Sequence, residues 1–171
     1  MPFTPFHLGA GILASSVTPK RAFSFGVFLV AQGVMDVQPG LGLLLDWDVL
    51  HGWTHTYPAA VALAVPVIAL WRLWERGRPQ RFDAERVGPV VLMASALFGT
   101  LSHVWLDSQY HAEMTHLTPS VLRLVQAADA AVMTEILCGA AAIAGGMVWA
   151  VRWLVARIEK NRVVSFDRQQ E

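Results

Sequence analysis

Residues 87–106 read VGPVVLMASALFGTLSHVWL, and this stretch determines the class of fold. Its residues are almost all apolar or small, and a helix of this length rises about 30 Å, the thickness of the hydrocarbon core of a bilayer. Two further blocks, 57–74 and 130–156, have a similar composition and length. The sequence therefore predicts three helices that cross a membrane.

Two shorter apolar segments precede these blocks, at residues 2–17 and 22–36. The second is expected to stop at Asp36, because Pro39 and Gly40 follow in VQPG and break a helix. Each segment is either a thin span or half of a helical hairpin that dips into the membrane. We predict an all-α, polytopic membrane helical bundle with four or five membrane segments. Residues 1–156 form one membrane-embedded domain, and residues 157–171 form a charged, mobile cytoplasmic tail.

The distribution of charge predicts the orientation. The chain has 13 basic and 13 acidic residues, and this balance argues against a nucleic-acid-binding protein, which needs a basic surface. With five crossings and the N-terminus outside, almost every basic residue falls on one face, which the positive-inside rule makes cytoplasmic. These residues form three clusters: Lys20 and Arg21; Arg72, Arg76, Arg78, Arg81 and Arg86; and Arg152, Arg157, Lys160, Arg162 and Arg168.

A row of metal-ligand residue types ends the 87–106 block. The stretch HVWLDSQYH places His103, Asp107 and His111 four residues apart, so in a helix they line one face over about 12 Å. The alternative is a polar helix face without a ligand. Three ligand residues in register are rare on a lipid-facing helix, and we therefore favour a metal site.

Other candidate ligands fall on the same outer side of the predicted bundle. His51 and His55 in HGWTH have the helical spacing that lets two imidazoles reach one cation, although Gly52 stands where an HExxH metalloprotease has its catalytic glutamate. His7 and Asp36 raise the number of ligands to seven. Seven ligands exceed the four that close a structural zinc site, which indicates two or three metal ions with open positions for water.

Each of these residues also has a structural interpretation. His7 could cap a helix, Asp36 could be the polar end of a span, and HGWTH could be a hydrogen-bonded turn. Glu113 lies near enough to the cluster to be a candidate general base.

Four motifs together resemble the YdjM-like family of membrane-bound metal-dependent hydrolases, which are small bacterial inner-membrane proteins. They are FTPFHLGAG, VMDVQP, LHGWTHT and GTLSHVWLDSQYHAEM, in that order over about two thirds of the chain. The resemblance implies ligand roles for His7, Asp36, His51, His55, His103 and Asp107, and it extends to His111. It also implies a bacterial inner-membrane location.

The interpretation that follows is a hydrolase acting at the outer face of the membrane. A metal ion activates water for attack on a phosphorus or carbonyl centre, with Asp36 and Asp107 as bridging ligands and Ser102 and Thr54 orienting their neighbours. Zinc is the expected metal, with manganese or iron as alternatives. A site at the depth of the lipid headgroups favours a lipid-linked phosphoester as substrate, with its acyl chains in the bilayer.

Two non-catalytic interpretations of the ligand residues remain. One is a divalent-metal-binding membrane protein that senses, stores or transports the ion; transport is disfavoured because the segments 57–74 and 130–156 have almost no ionisable residue between their ends. The other is a structural protein with a metal staple, which would lose its fold on chelation.

Overall fold

The computed structural model describes residues 7–19, 22–47, 52–77, 86–110, 114 and 130–167. In these residues all regular structure is helical, and none of them forms a strand. The α-helices are α1 (Leu8–Val17), α2 (Phe25–Leu44), α3 (Tyr57–Gly77), α4 (Pro89–Tyr110) and α5 (Ala130–Asp167), and a short 3₁₀ turn (Trp53–His55) precedes α3. The predicted all-α class is confirmed.

Four of the described helices, α2 to α5, are long and apolar enough to cross a membrane. Helix α1 has ten residues and therefore rises only about 15 Å, half the thickness of the hydrocarbon core. The chain is thus a membrane protein with four helices of spanning length and one short helix packed beside them.

Helix α2 does not stop at Asp36, and this prediction is wrong. The helix continues through Pro39 and Gly40 to Leu44, because a proline removes one backbone donor and the surroundings of a membrane helix can satisfy the freed carbonyl. It ends where Asp46 adopts a positive φ of 55°, with the Trp47 N–H donating to the Gly42 carbonyl at 2.9 Å. This closure is typical of a helix C-terminus.

Helices α2, α3 and α4 share the central core. Val27 and Ala31 from α2, Ala64 from α3 and Ala96 from α4 belong to one buried cluster. Small residues bring the backbones close: a Cβ added at Gly99 would overlap the side chain of Ala31. The close approach of α2 and α4 matters for function because both carry candidate ligands.

Helix α1 packs parallel to α5. A Cβ at Gly9 would overlap the backbone carbonyl of Cys138, and one at Gly145 would contact the backbone of Ile12. Further along, the guanidinium of Arg152 donates to the Thr18 carbonyl at 3.5 Å. Both helices therefore begin at the same end of the bundle, where α2 and α4 end.

A buried carboxylate holds the opposite end together. Glu75, near the end of α3, accepts hydrogen bonds from the indole of Trp71 at 2.9 Å, the guanidinium of Arg72 at 2.7 Å and the backbone N–H of Val87 at 2.9 Å. Since Val87 lies just before α4, this carboxylate joins the end of α3 to the start of α4.

The arginines of the described ranges lie at or beyond this same end: Arg72, Arg76, Arg86, Arg152, Arg157 and Arg162. Helix α5 continues past Ala156 to Asp167, so the start of the predicted mobile tail is instead helical. The separation of basic residues from the candidate ligands, which was predicted from charge alone, agrees with the arrangement of the helices.

Candidate metal centre

Four elements bring five of the predicted ligands together at one end of the bundle. His7 immediately precedes α1, Asp36 lies within α2, and His55 ends the 3₁₀ turn before α3. His103 and Asp107 are one turn apart on α4. The ligands come from segments far apart in sequence, so their meeting is a property of the tertiary fold.

Asp107 is the centre of the cluster, since three imidazoles surround its carboxylate. His7 Nε2 lies 3.4 Å from Asp107 Oδ1. His55 Nε2 and His103 Nε2 lie 3.4 Å and 3.2 Å from Asp107 Oδ2. The rings of His7 and His55 stand edge-on to that of His103, with centroids 4.7 Å and 5.3 Å away.

Gln32 orients His103. Its amide nitrogen donates to the Gly99 carbonyl at 3.1 Å, which directs Oε1 at His103 Nδ1, 2.7 Å away. An amide oxygen only accepts, so Nδ1 must carry the hydrogen. In the neutral ring, Nε2 then has a lone pair, and it lies 3.4 Å from Asp36 Oδ1 as well as beside Asp107.

A second amide sets the orientation of His55. The hydroxyl of Thr54 contacts Gln38 Oε1 closely, and the Thr54 N–H also points to this oxygen at 3.3 Å. Because Oε1 only accepts, the hydroxyl donates to it and is left to accept from His55 Nδ1 at 3.1 Å. His55 therefore also directs Nε2 at Asp107.

The contact distances fit a cation between these atoms. An imidazole lone pair and a carboxylate oxygen repel each other unless a proton or a metal ion separates them. Ligands about 2.0 Å from a tetrahedral zinc lie about 3.3 Å from each other, close to the 3.2 to 3.4 Å of the four contacts. N–H···O hydrogen bonds are about 2.7 to 3.2 Å long, so a protonated imidazole fits the 3.2 Å contact of His103 with Asp107 and fits the three contacts of 3.4 Å less well.

Two overlapping sets of three residues have ligand atoms within 4.8 Å of one another: His7, His103 and Asp107; and Asp36, His55 and His103. Both sets use His103, whose Nε2 can bind one ion. The five described side chains therefore suffice for one ion, and the two or three ions expected from seven ligands stay a prediction.

Exposure distinguishes Asp36 from the other ligands. The side chains of His7, His55, His103 and Asp107 are at most 5% exposed, whereas that of Asp36 is 36% exposed. A centre bound by these residues would be buried on the α4 side and open on the α2 side.

Three of the predicted site residues, His51, His111 and Glu113, lie outside the described residues. The described part of HGWTH is not α-helical, since Gly52 is extended, with φ −86° and ψ −151°, and His55 lies in a 3₁₀ turn. Gly52 is small for a local reason, because a Cβ there would overlap the amide of Gln38.

The predicted contact of Thr54 with a ligand is confirmed. The hydroxyl of Ser102 donates to the Gly99 carbonyl at 3.2 Å. Gln32, and not Ser102 as predicted, orients His103. The sequence prediction missed both glutamines. A usable signal existed for Gln32, which is an amide in an apolar stretch, four residues before Asp36 on the same helix face.

The chain matches no protein-family model, no curated protein and no solved structure. The assignment of a function therefore depends on the chemistry of the site.

Proposed function

We propose that the protein is a membrane-embedded, metal-dependent hydrolase of the YdjM-like type that cleaves a phosphoester, most simply a lipid-linked one. The observation that supports this proposal best is His103. Its ring is fully buried, its Nδ1 donates to Gln32, and its Nε2 is held between two carboxylates at 3.2 and 3.4 Å. This is the environment of a metal ligand fixed in one tautomer.

The donor set is compatible with zinc, and manganese and iron also accept imidazole and carboxylate ligands. A bound divalent ion would supply Lewis acidity and a nucleophilic water near neutral pH. His55, His103 and Asp107 would hold the ion on its buried side, and Gln32 and Thr54 would keep the two imidazoles in the metal-binding tautomer.

Asp36 is the proposed catalytic carboxylate of the described residues. Its partial exposure lets water and substrate reach it, and a carboxylate beside the ion can orient the attacking water and accept its proton. Asp107, buried among three histidines, is better suited to hold the ion. Glu113 stays a second candidate base outside the described residues.

We further propose that the site faces outward across a bacterial inner membrane. The described arginines lie at the opposite end of the bundle, and the positive-inside rule makes that end cytoplasmic. The α5 extension would then lie in the cytoplasm.

Elemental analysis of the purified, detergent-solubilised protein tests the metal site. The parent should contain at least one equivalent of zinc, manganese or iron, and His103→Ala and Asp107→Asn should lose it. Val104→Ala is the matched control, because Val104 is also buried on α4 but contributes to the apolar cluster around Met35. Retention of the ion by both ligand variants would contradict the assignment.

A screen of phosphoester and phospholipid substrates tests catalysis separately. Turnover should require the ion, and Asp36→Asn should abolish most turnover while the variant still binds metal. A metal-loaded protein without turnover on any substrate would favour the non-catalytic alternative, a metal sensor or store, for which the burial of four ligands is sufficient.

A further inference from the structure

We propose that the substrate is a lipid-linked phosphoester that enters sideways across the lipid-facing surface of α2, with its headgroup and the adjoining part of an acyl chain lying in a notch formed by Gly33 and Gly40. This route presupposes the metal site of the proposed function, and it specifies the substrate class and the direction of entry.

The first observation is where the centre opens. Within the described part of the chain, Nε2 of the fully buried His103 makes no hydrogen bond and faces Asp36 Oδ1 at 3.4 Å. Asp36 is in turn the described ligand with substantial exposure. The path from outside to this buried nitrogen therefore passes Asp36.

The second observation is the depth of that opening. Asp36 lies eight residues before Leu44, the last residue of α2, and hence about 12 Å below the end of the helix. Its neighbours Val37 and Leu41 are 55% and 45% exposed. Apolar side chains exposed along a membrane-spanning helix face acyl chains, so the opening at Asp36 is directed towards lipid.

The third observation is a gap in the side chains at this point. Gly33 and Gly40 lie three residues before and four residues after Asp36, which places them on the same face of α2. Apart from the neighbouring residues and backbone of α2 itself, no described atom lies within 4 Å of a Cβ built at either glycine. Gly9 and Gly99, by contrast, permit close helix packing. Glycine in a helix is less favourable than alanine by about 1 kcal/mol, and described packing accounts for neither of these two.

With the headgroup at Asp36, the acyl chain would run past Gly33 towards the bilayer centre, and Gly40 would leave room for the headgroup on the outer side. The phosphate of that headgroup complements a divalent cation bound by His55, His103 and Asp107. The acyl chain would remain in the bilayer during the reaction, and only the headgroup would move from the membrane surface to the depth of Asp36. Gly33 and Gly40 would therefore determine specificity for lipid-linked over soluble phosphoesters.

Photo-crosslinking tests the route without requiring turnover. The zinc-loaded protein is reconstituted in phosphatidylglycerol vesicles that contain a phosphatidylglycerol analogue with a diazirine midway along one acyl chain. Labelling should concentrate on α2, and Gly33→Leu and Gly40→Leu should each lower it at least fivefold. Gly146→Leu is the matched control, because a Cβ built at Gly146 would also contact no described atom outside its own stretch of helix, but Gly146 lies on α5.

Both glycine variants should retain zinc, which shows that the centre is intact. Equal labelling of α2 in the parent and in zinc-loaded Gly33→Leu and Gly40→Leu would overturn the route. If one glycine variant lost its zinc, crosslinking of the other, zinc-loaded variant would test the route.

Activity measurements separate this route from the proposed function. Gly33→Leu should lower hydrolysis of a phospholipid but leave that of a water-soluble phosphodiester unchanged, and Gly146→Leu should affect neither. Equal loss on both substrates would overturn the notch as a determinant of specificity. A parent protein that hydrolyses neither substrate would refute the hydrolase while the crosslinking result still decided the lipid site.

Discussion

Replacement of Gln32 by leucine should weaken metal binding about 10- to 100-fold without unfolding the bundle. Gln32 accepts from His103 Nδ1 at 2.7 Å and donates to the Gly99 carbonyl at 3.1 Å. Loss of such a partner typically lowers metal affinity by this factor, because the imidazole then loses its fixed tautomer and orientation. The corresponding free energy of binding is about 1.4 to 2.8 kcal/mol.

The same substitution should lower the free energy of unfolding of the metal-free protein by about 1 to 3 kcal/mol, since it leaves buried His103 Nδ1–H without an acceptor. Ser95→Ala is the control for this effect. Ser95 is fully buried on α4 and accepts from the Ser24 N–H at 2.9 Å, but it lies towards the opposite end of the bundle. It should reduce stability by a similar amount and leave metal affinity unchanged.

Competition with a chromophoric zinc chelator in detergent measures the affinity of each variant, and thermal unfolding without metal measures stability. Gln32→Glu keeps an acceptor for His103 and should retain most of the affinity. The reasoning is refuted if folded Gln32→Leu binds zinc as tightly as the parent, because Gln32 would then not hold a ligand.

Three further predictions follow from the structure. Metal affinity should fall as the pH is lowered, because a protonated imidazole cannot bind a cation; zinc retained equally at pH 5 and pH 8 in equilibrium dialysis would exclude histidine ligands. Glu75→Ala removes two hydrogen bonds within α3, from Trp71 and Arg72, and the one from Val87 N–H that joins α3 to the start of α4; it should lower the free energy of unfolding by about 2 to 4 kcal/mol without loss of metal, and unchanged thermal stability would argue against a stabilising role of Glu75. Single cysteines at Asp46 and Asn161, in a protein whose Cys138 is replaced by alanine, should react with impermeant reagents from opposite sides of the membrane, and labelling from one side would contradict the orientation.

Local features of the sequence were sufficient to predict three of the four helices of spanning length. Apolar composition and length are properties of a contiguous segment, so α3, α4 and α5 could be predicted without any knowledge of their neighbours. The effect of Pro39 could not, because whether a proline ends a membrane helix depends on whether its surroundings can accommodate the freed carbonyl. The continuation of α5 past Ala156 was missed because its charged composition indicated only that the segment leaves the membrane.

In the candidate site, too, some features follow from the local sequence and others from the tertiary fold. The spacing of His103 and Asp107 is local, and its helical geometry places both in one cluster. The convergence of His7 and His55 on Asp107 followed from the predicted topology, which placed the start of α1, the start of α3 and the end of α4 on one side. Gln32 could have been noticed as an amide four residues before Asp36 in an apolar stretch, but its partner His103, and the contact of Gln38 with Thr54, depend on which side chains meet in the tertiary fold, and the sequence alone does not contain that information.

The continuation of α2 also changes what the site can do. Had the helix ended at Asp36, this carboxylate would lie at the rim of the bundle, and a soluble substrate would reach it as easily as a lipid. With two further helical turns above it, Asp36 lies below the end of a span and among exposed apolar side chains. A carboxylate at such a depth is costly unless it is paired with a cation or serves a function. A metal ion shared with His103 would satisfy the first condition, and contact with a headgroup drawn from the adjoining lipid would satisfy the second.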